Sequence, residues 1–192
     1  MKKICYTLAF LIMTAALIAA WSEKPLEELE NNIVRLHIIA AGDGERDQEL
    51  KLMVRDSIQH LAAERGRLPS AAEMELTANS VLKKEGVKYG ARVTMGKFYI
   101  TRRSYGSFTL PYGRYTAARV ELGPACGKNW WCVLSPPLCF TSSSFDTEDT
   151  LDGYVSSSTE KIIEDGDINI KFRALELISR LKQKTEQRKA GK

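Results

Sequence analysis

The alternation of apolar and polar residues predicts a β-strand over residues 33–40, which read IVRLHIIA. One face of this strand is apolar, and the other face is mixed and carries Arg35 and His37. Residues 41–44 contain two glycines and predict a turn, in which Asp43 is the expected N-cap of a following helix. The first strand is therefore expected to lead directly into a helix.

Two amphipathic helices follow the turn. The first is predicted over about residues 45–63, because apolar residues recur there at spacings of three and four. The second begins with the capping box Ser70–Glu73 and runs to about residue 85, where Gly86 ends it.

Three aromatic and β-branched runs come next, at residues 91–102, 115–122 and 129–134, and each predicts a strand. The order β-α-α-β-β-β predicts an α+β fold. We expect a single domain in which the two N-terminal helices pack on one face of a largely antiparallel sheet, with a basic helix at the C-terminus. Helix Lys171–Lys189 is amphipathic, and its apolar stripe comprises Phe172, Leu175, Ile178 and Leu181.

The N-terminus has the pattern of an export signal. Lys2 and Lys3 precede a stretch from Ile4 to Trp21 without a charged residue, and small residues favour cleavage after Ser22. The alternative is an uncleaved membrane anchor of minimal length. We predict four regions, which are a signal peptide (1–22), a folded domain (23–140), an acidic Ser-rich linker (141–170) and the basic amphipathic helix (171–192).

Charge is distributed unevenly over these regions. The linker carries eight acidic residues against Lys161 alone, whereas residues 171–192 carry eight basic against two acidic residues. Because the basic charge is concentrated in a tail, nucleic-acid binding by the folded domain is not expected. The C-terminal helix could instead lie on an anionic membrane surface or dock on the protein. Neither phosphate loops nor metal-ligand spacings are recognisable, so no cofactor, metal or small-molecule substrate is expected.

Two segments resemble one protein family. Residues 35–56, which contain RLHIIA and DQELKLMVRD, and residues 128–140, KNWWCVLSPPLCF, are similar to the stage II sporulation protein R family of endospore-forming Firmicutes. Further similarity lies in residues 105–120, and the likeness covers roughly residues 33–140. The family commonly has Ala-Asn-Ser-Asp where this chain has Ala40–Asp43, which preserves the turn but removes an Asn side chain.

The resemblance implies a non-enzymatic protein signal. Such a protein is exported from the forespore into the space between two membranes. There it activates a membrane-embedded aspartic protease, which removes the pro-sequence of the sigma-E precursor. Of the three cysteines beyond the signal, Cys126 looks additional to the family pattern, so the resemblance makes Cys132–Cys139 the default disulfide.

The candidate partner-binding residues are Asn129, Trp130 and Trp131. Consecutive strand residues point to opposite faces, so one tryptophan is expected in the core and the other at the surface, where an aromatic side chain can anchor an interface. Packing of both tryptophans in the core is the alternative. A second candidate surface is the face of the first strand that carries Arg35 and His37.

Two other functional classes compete with a signalling protein. A secreted cysteine hydrolase acting on cell wall or peptides would use Cys132 as nucleophile and His37 as base, oriented by Asp43 or Asp56. An envelope-attached structural protein would use an uncleaved N-terminus and the basic tail. Arg35, Arg55 and Asp56 are expected to form strand-to-helix ion pairs without a catalytic role.

Overall fold

The computed structural model describes residues 2–105, 108–136, 151, 153–164 and 170–190. The described residues form five helices and six strands, so the predicted α+β class is confirmed. In chain order these elements are α1 (Lys2–Asn32), β1 (Val34–Ile39), α2 (Glu45–Arg65), α3 (Ala71–Lys84), β2 (Ala91–Ile100), β3 (Arg103–Tyr105), β4 (Phe108–Leu110), β5 (Gly113–Leu122), β6 (Asn129–Ser135), α4 (Ser157–Glu164) and α5 (Ile170–Ala190).

A four-stranded sheet has the order β2-β5-β1-β6. Strand β1 is parallel to β5, with Leu36 opposite Ala118, and antiparallel to β6, with Leu36 opposite Cys132. The sheet is therefore mixed, and the parallel β1–β5 pair was not predicted. A parallel pair needs a long crossover, and α2, α3 and β2 lie between these two strands in the chain.

The chain divides into two compact units. The sheet unit comprises residues 31–98 and 115–146, and the helical unit comprises residues 1–30, 99–114 and 147–192. The core of the sheet unit joins α2 and α3 to one face of the sheet. Its fully buried members include Leu36, Ile38, Leu50, Val54, Ile58, Met74, Ala78, Ala118, Val120 and Leu122.

The two helix starts differ in how they are capped. At α3 the predicted capping box is confirmed, because Ser70 Oγ accepts from the Glu73 N–H at 3.3 Å and Glu73 Oε2 accepts from the Ser70 N–H at 2.8 Å. At α2 the predicted Asp43 cap is wrong, because the N-cap is Gly44 and no side chain caps the helix. Asp43 Oδ1 instead accepts from the Lys128 N–H at 2.8 Å, which ties the turn to the segment before β6.

The helical unit has its own apolar cluster. Leu26 of α1, Ile162 of α4, and Phe172 and Leu175 of α5 are buried together. Helix α4 lies within the segment predicted as a linker, so part of that segment is helical. Because the segment is acidic, it was predicted to be unstructured, although Ile162 and Ile163 are buried in the folded protein. The proposed region boundaries themselves remain a prediction.

A buried carboxylate connects α5 to the segment that precedes β5. Glu176 accepts two hydrogen bonds from Arg102, at 3.0 and 2.7 Å, and one from the Tyr112 N–H at 3.1 Å. Burial alone would raise the pKa of Glu176, but these donors outweigh it and lower that pKa. The antiparallel strand pair β3–β4, with Tyr105 opposite Phe108, lies in the same unit, in a stretch for which only turns were predicted.

Helix α1 is continuous from Lys2 to Asn32 and contains Pro25. Among the described residues, no helix has the combination of length and apolar character that crossing a membrane requires.

Candidate functional site

The consecutive tryptophans of β6 lie on opposite faces of the sheet. Trp130 packs against the core of the sheet unit, and the Arg55 guanidinium lies 4.6 Å from its ring centroid. Trp131 points to the other face, as expected from the alternation of strand side chains. The prediction that the two tryptophans lie on opposite faces is confirmed, and partly buried Trp130 is the one that packs against the core.

Trp131 is held by its neighbour across the strand pair. His37 of β1 is directly opposite Trp131, and the two rings stack with centroids 3.7 Å apart and planes 7° from parallel. His37 Nε2 donates a hydrogen bond to Asn129 Oδ1 at 2.7 Å. These contacts fix the orientation of a half-buried indole ring next to an exposed amide.

Arg35 completes the cluster on the same face. Its guanidinium carbon is 5.2 Å from the Tyr115 ring centroid and 5.8 Å from the Trp131 ring centroid. Arg35 and Tyr115 are both fully buried. A buried cation between two ring faces is stabilised by their electron density. Arg35 therefore makes a cation–π contact with the Trp131 ring from the buried side of the cluster.

Four of the five candidate residues therefore come together. We call Arg35, His37, Asn129 and Trp131 the His37–Trp131 face. It lies on the side of the sheet opposite the α2–α3 core, because Leu36 and Cys132, their neighbours in sequence, point into that core. Trp130 is separated from the other four by the sheet. Whether this face binds a partner remains a prediction.

Two charged residues on the same side were missed by sequence reasoning. Arg119 of β5 is opposite His37 in the parallel pair, and it forms a 2.7 Å ion pair with Glu121. Both side chains are partly exposed. The sequence shows that Arg119 and Glu121 lie on the same face of β5. They could not be placed next to His37, because the parallel pairing of β1 with β5 was not predicted.

The structure does not bring the proposed catalytic pair of Cys132 and His37 together. Leu36 is opposite Cys132 in the register, whereas His37 is opposite Trp131, so the two proposed catalytic side chains lie on opposite faces. Cys132 is only 3% exposed, and its sulfur is engaged in a disulfide bond. A nucleophile must reach both its base and a substrate, and Cys132 reaches neither.

The proposed orienting acids are also engaged elsewhere. Asp43 is bound by the Lys128 N–H, and Asp56 forms a 2.6 Å ion pair with Arg55 within α2. The expected strand-to-helix ion pair is therefore wrong, because Asp56 pairs with Arg55 of its own helix and Arg35 lies on the other face of the sheet. In the part of the chain that the structure describes, no three His, Cys, Asp or Glu side chains are grouped to hold a metal ion.

The cysteine assignments are resolved only in part. Cys139 lies outside the described residues, so its pairing with Cys132 remains a prediction. Cys126 is an exposed free thiol, and its Sγ donates to the Ala41 carbonyl oxygen at 2.8 Å.

The two segments that carry the family resemblance meet in space. Lys51 of α2 donates to Gln48 Oε1 at 2.6 Å and to the Lys128 carbonyl oxygen at 3.2 Å, and Gln48 donates to the Gly42 carbonyl oxygen at 2.8 Å. Lys51 is almost completely buried, and this burial lowers its pKa. These polar residues of the first segment therefore hold the start of the second segment in position.

The same part of the chain is similar to a known protein family. The family model described as stage II sporulation protein R matches residues 30–145. Stage II sporulation protein R of Bacillus subtilis (strain 168) is 32% identical over 181 residues, which covers 81% of this chain and 80% of that protein. No solved structure matches the chain. The matched region contains β1 to β6 and thus the whole His37–Trp131 face, and the chain belongs to the stage II sporulation protein R family.

Proposed function

We propose that this chain is a secreted protein signal of endospore formation that activates a membrane-embedded aspartic protease, which then processes the sigma-E precursor. Family membership supports a role in stage II of sporulation. The proposal adds the direction of the signal, from the forespore into the intermembrane space, and a protein partner. In this scheme the chain is not an enzyme, and the catalytic carboxylates belong to the protease.

The His37–Trp131 face is the observation that carries the proposal. An interface anchor contributes most when its side chain is large and already ordered before binding. The Trp131 ring meets both conditions, because His37 stacks on one ring face and Arg35 lies 5.8 Å from the ring centroid. The exposed Asn129 beside it offers a polar rim, and partly exposed Arg119 and Glu121 extend this polar surface.

Export with cleavage near Ser22 is the second part of the proposal. The apolar stretch from Ile4 to Trp21 supports it. Removal of residues 1–22 leaves in place the contacts that Leu26 and Glu28 make in the helical unit. Pro25 would then lie in the first turn of the shortened helix, where its missing N–H costs no hydrogen bond.

The test is reconstitution of the protease and the sigma-E precursor in liposomes. Addition of the chain to the outer side should increase processing of the precursor, measured by the appearance of the shorter sigma factor on a gel. A protease whose catalytic aspartates are replaced by Asn should give no product and serves as the control. Processing at the same rate with and without the chain would contradict the proposal.

The location is tested separately by intact mass of the protein recovered from outside the cytoplasm. The expected mass is that of a chain that begins at Glu23. A mass that retains residues 1–21 would contradict cleavage and favour an anchored form.

A further inference from the structure

Helix α5 uses most of its predicted apolar stripe inside the protein. Phe172 and Leu175 are fully buried and contact Leu26 and Ile162 in the helical unit. Ile178 packs against the same cluster. The stripe that the sequence suggested for membrane contact is therefore occupied, apart from Leu181, which is 56% exposed.

Both acidic residues of α5 also have partners within the helical unit. Glu176 is bound by Arg102, and Glu186 forms a 3.2 Å ion pair with Arg114. Helix α5 has seven basic residues but no further acidic residue. The side of the helix away from these two ion pairs therefore carries basic side chains but no acidic one.

Two leucines and two basic residues line that side of the helix. Leu177, Leu181, Lys184 and Arg188 follow each other at spacings of four, three and four, which places them along one face of the helix. The two leucines are 59% and 56% exposed, and Lys184 and Arg188 are exposed. We call these four residues the outer face of α5.

We propose that the outer face of α5 binds the surface of an anionic lipid bilayer. Isolated exposed leucines are common and indicate nothing by themselves. Here two of them are one turn apart on a helix whose two acidic residues are both engaged in ion pairs on other sides of the helix. Apolar side chains that enter the headgroup region, flanked by cations that meet anionic headgroups, are the features of a helix that lies in a membrane interface. This inference does not depend on activation of a protease.

The experiment uses the full chain and reads out Lys184 itself, because the apolar N-terminus can bind lipid independently. Amines are acetylated briefly with and without vesicles, and modification of each lysine is measured by mass spectrometry. Vesicles of phosphatidylcholine with phosphatidylglycerol should protect Lys184, whereas pure phosphatidylcholine vesicles should not. Lys83 of α3, an exposed lysine of the sheet unit, should label equally in all samples. High salt should restore labelling of Lys184.

Variants separate the contributions of charge and apolar area. In Arg188→Gln, the lipid concentration that half protects Lys184 should rise about fivefold. In Leu177→Ser/Leu181→Ser, it should rise roughly tenfold or more. The matched control is Leu76→Ser, which removes a 73% exposed leucine from α3 and should change nothing.

Three results would overturn the proposal. The first is labelling of Lys184 that is unaffected by anionic vesicles to which the chain is bound. The second is equal protection by neutral vesicles. The third is a double serine variant whose Lys184 is protected as well as that of the parent chain.

Discussion

His37 and Trp131 lie opposite each other on neighbouring strands, and their rings stack with centroids 3.7 Å apart. The hydrogen bond from His37 to Asn129 restrains the imidazole from one side. A surface tryptophan held in this way loses little conformational freedom when a partner covers it. The pair therefore connects the fold of the sheet to the surface that we propose for signalling.

Replacement of the two tryptophans should have different consequences. Trp130→Ala should lower the free energy of unfolding by about 3 kcal/mol, because it opens a cavity at the core. Trp131→Ala should cost about 1 kcal/mol, since it removes a stacking contact on a half-exposed face. Only Trp131→Ala should reduce sigma-E precursor processing beyond its effect on stability.

Thermal melting and the liposome assay together test this prediction. If both variants lose activity only in proportion to lost stability, the protease contacts another surface.

Much of the sheet unit could be predicted from sequence because its signals are local. The capping box at Ser70 and the alternation in β1 depend on residues close in sequence. The partner strands of β1 could not be predicted, because strand register depends on residues far apart in the chain. Consequently the tryptophans were assigned to two faces correctly, but Arg119 could not be placed beside His37. The Asp43 cap failed for a similar reason, because its carboxylate binds Lys128, a residue distant in sequence.

A close approach of two glycines should make Gly127 sensitive to substitution. A Cβ at Gly127 would lie 2.1 Å from the Gly42 carbonyl oxygen, a backbone atom that cannot move independently. Gly127→Ala should therefore destabilise the protein by about 2 kcal/mol or more. The control is Gly66→Ala at the end of α2, where φ is +59° and no atom lies within 4 Å, and it should cost only about 1 kcal/mol. Denaturant unfolding measures the loss of unfolding free energy in both variants. Equal losses in Gly127→Ala and Gly66→Ala would contradict a steric clash at Gly127.

Removal of Arg102 alone should destabilise the protein more than removal of both partners of the Arg102–Glu176 ion pair. Arg102→Ala should destabilise the chain by about 3 kcal/mol, because it leaves a buried carboxylate without its cation. Arg102→Met/Glu176→Met should cost less than Arg102→Ala, since neither charge remains. Thermal unfolding of the three proteins tests this order, and a double variant less stable than the single one would refute it.

The capping box of α3 should contribute to stability in a pH-dependent way. Hydrogen bonds from Arg67 and then Ser70 lower the pKa of Glu73 from 4.5 to about 2. A carboxylate with a lowered pKa stabilises the fold above its unfolded value, and this contribution is lost as the pH falls towards its folded value. The difference in melting temperature between the parent chain and Glu73→Gln should be full above pH 4.5 and disappear near pH 2.

Melting curves at a series of pH values provide the measurement. Glu45→Gln, in the first turn of α2, controls for the loss of one negative charge. A constant difference across this range would contradict the prediction.

The predicted disulfide can be mapped directly. Digestion without reductant should yield a peptide that links Cys132 to Cys139, and Cys126 should react with an alkylating agent in the folded protein. A crosslink of eight residues should contribute roughly 2.5 kcal/mol to stability. Alkylation of all three thiols in the folded protein would refute the pairing.

The central position of β1 also has a consequence for the order in which the protein can fold. β1 is synthesised early, yet its two neighbours in the sheet, β5 and β6, are synthesised much later. His37 forms a hydrogen bond with Asn129, which lies 92 residues further along the chain. Such long-range pairing makes folding slow, because a large loop must close before the contacts form. The helices α2 and α3 can form while the chain is still growing, but the sheet cannot close until residue 135 has been added. A newly made chain therefore remains without its complete central sheet for most of its synthesis, which would suit the export across a membrane that we propose.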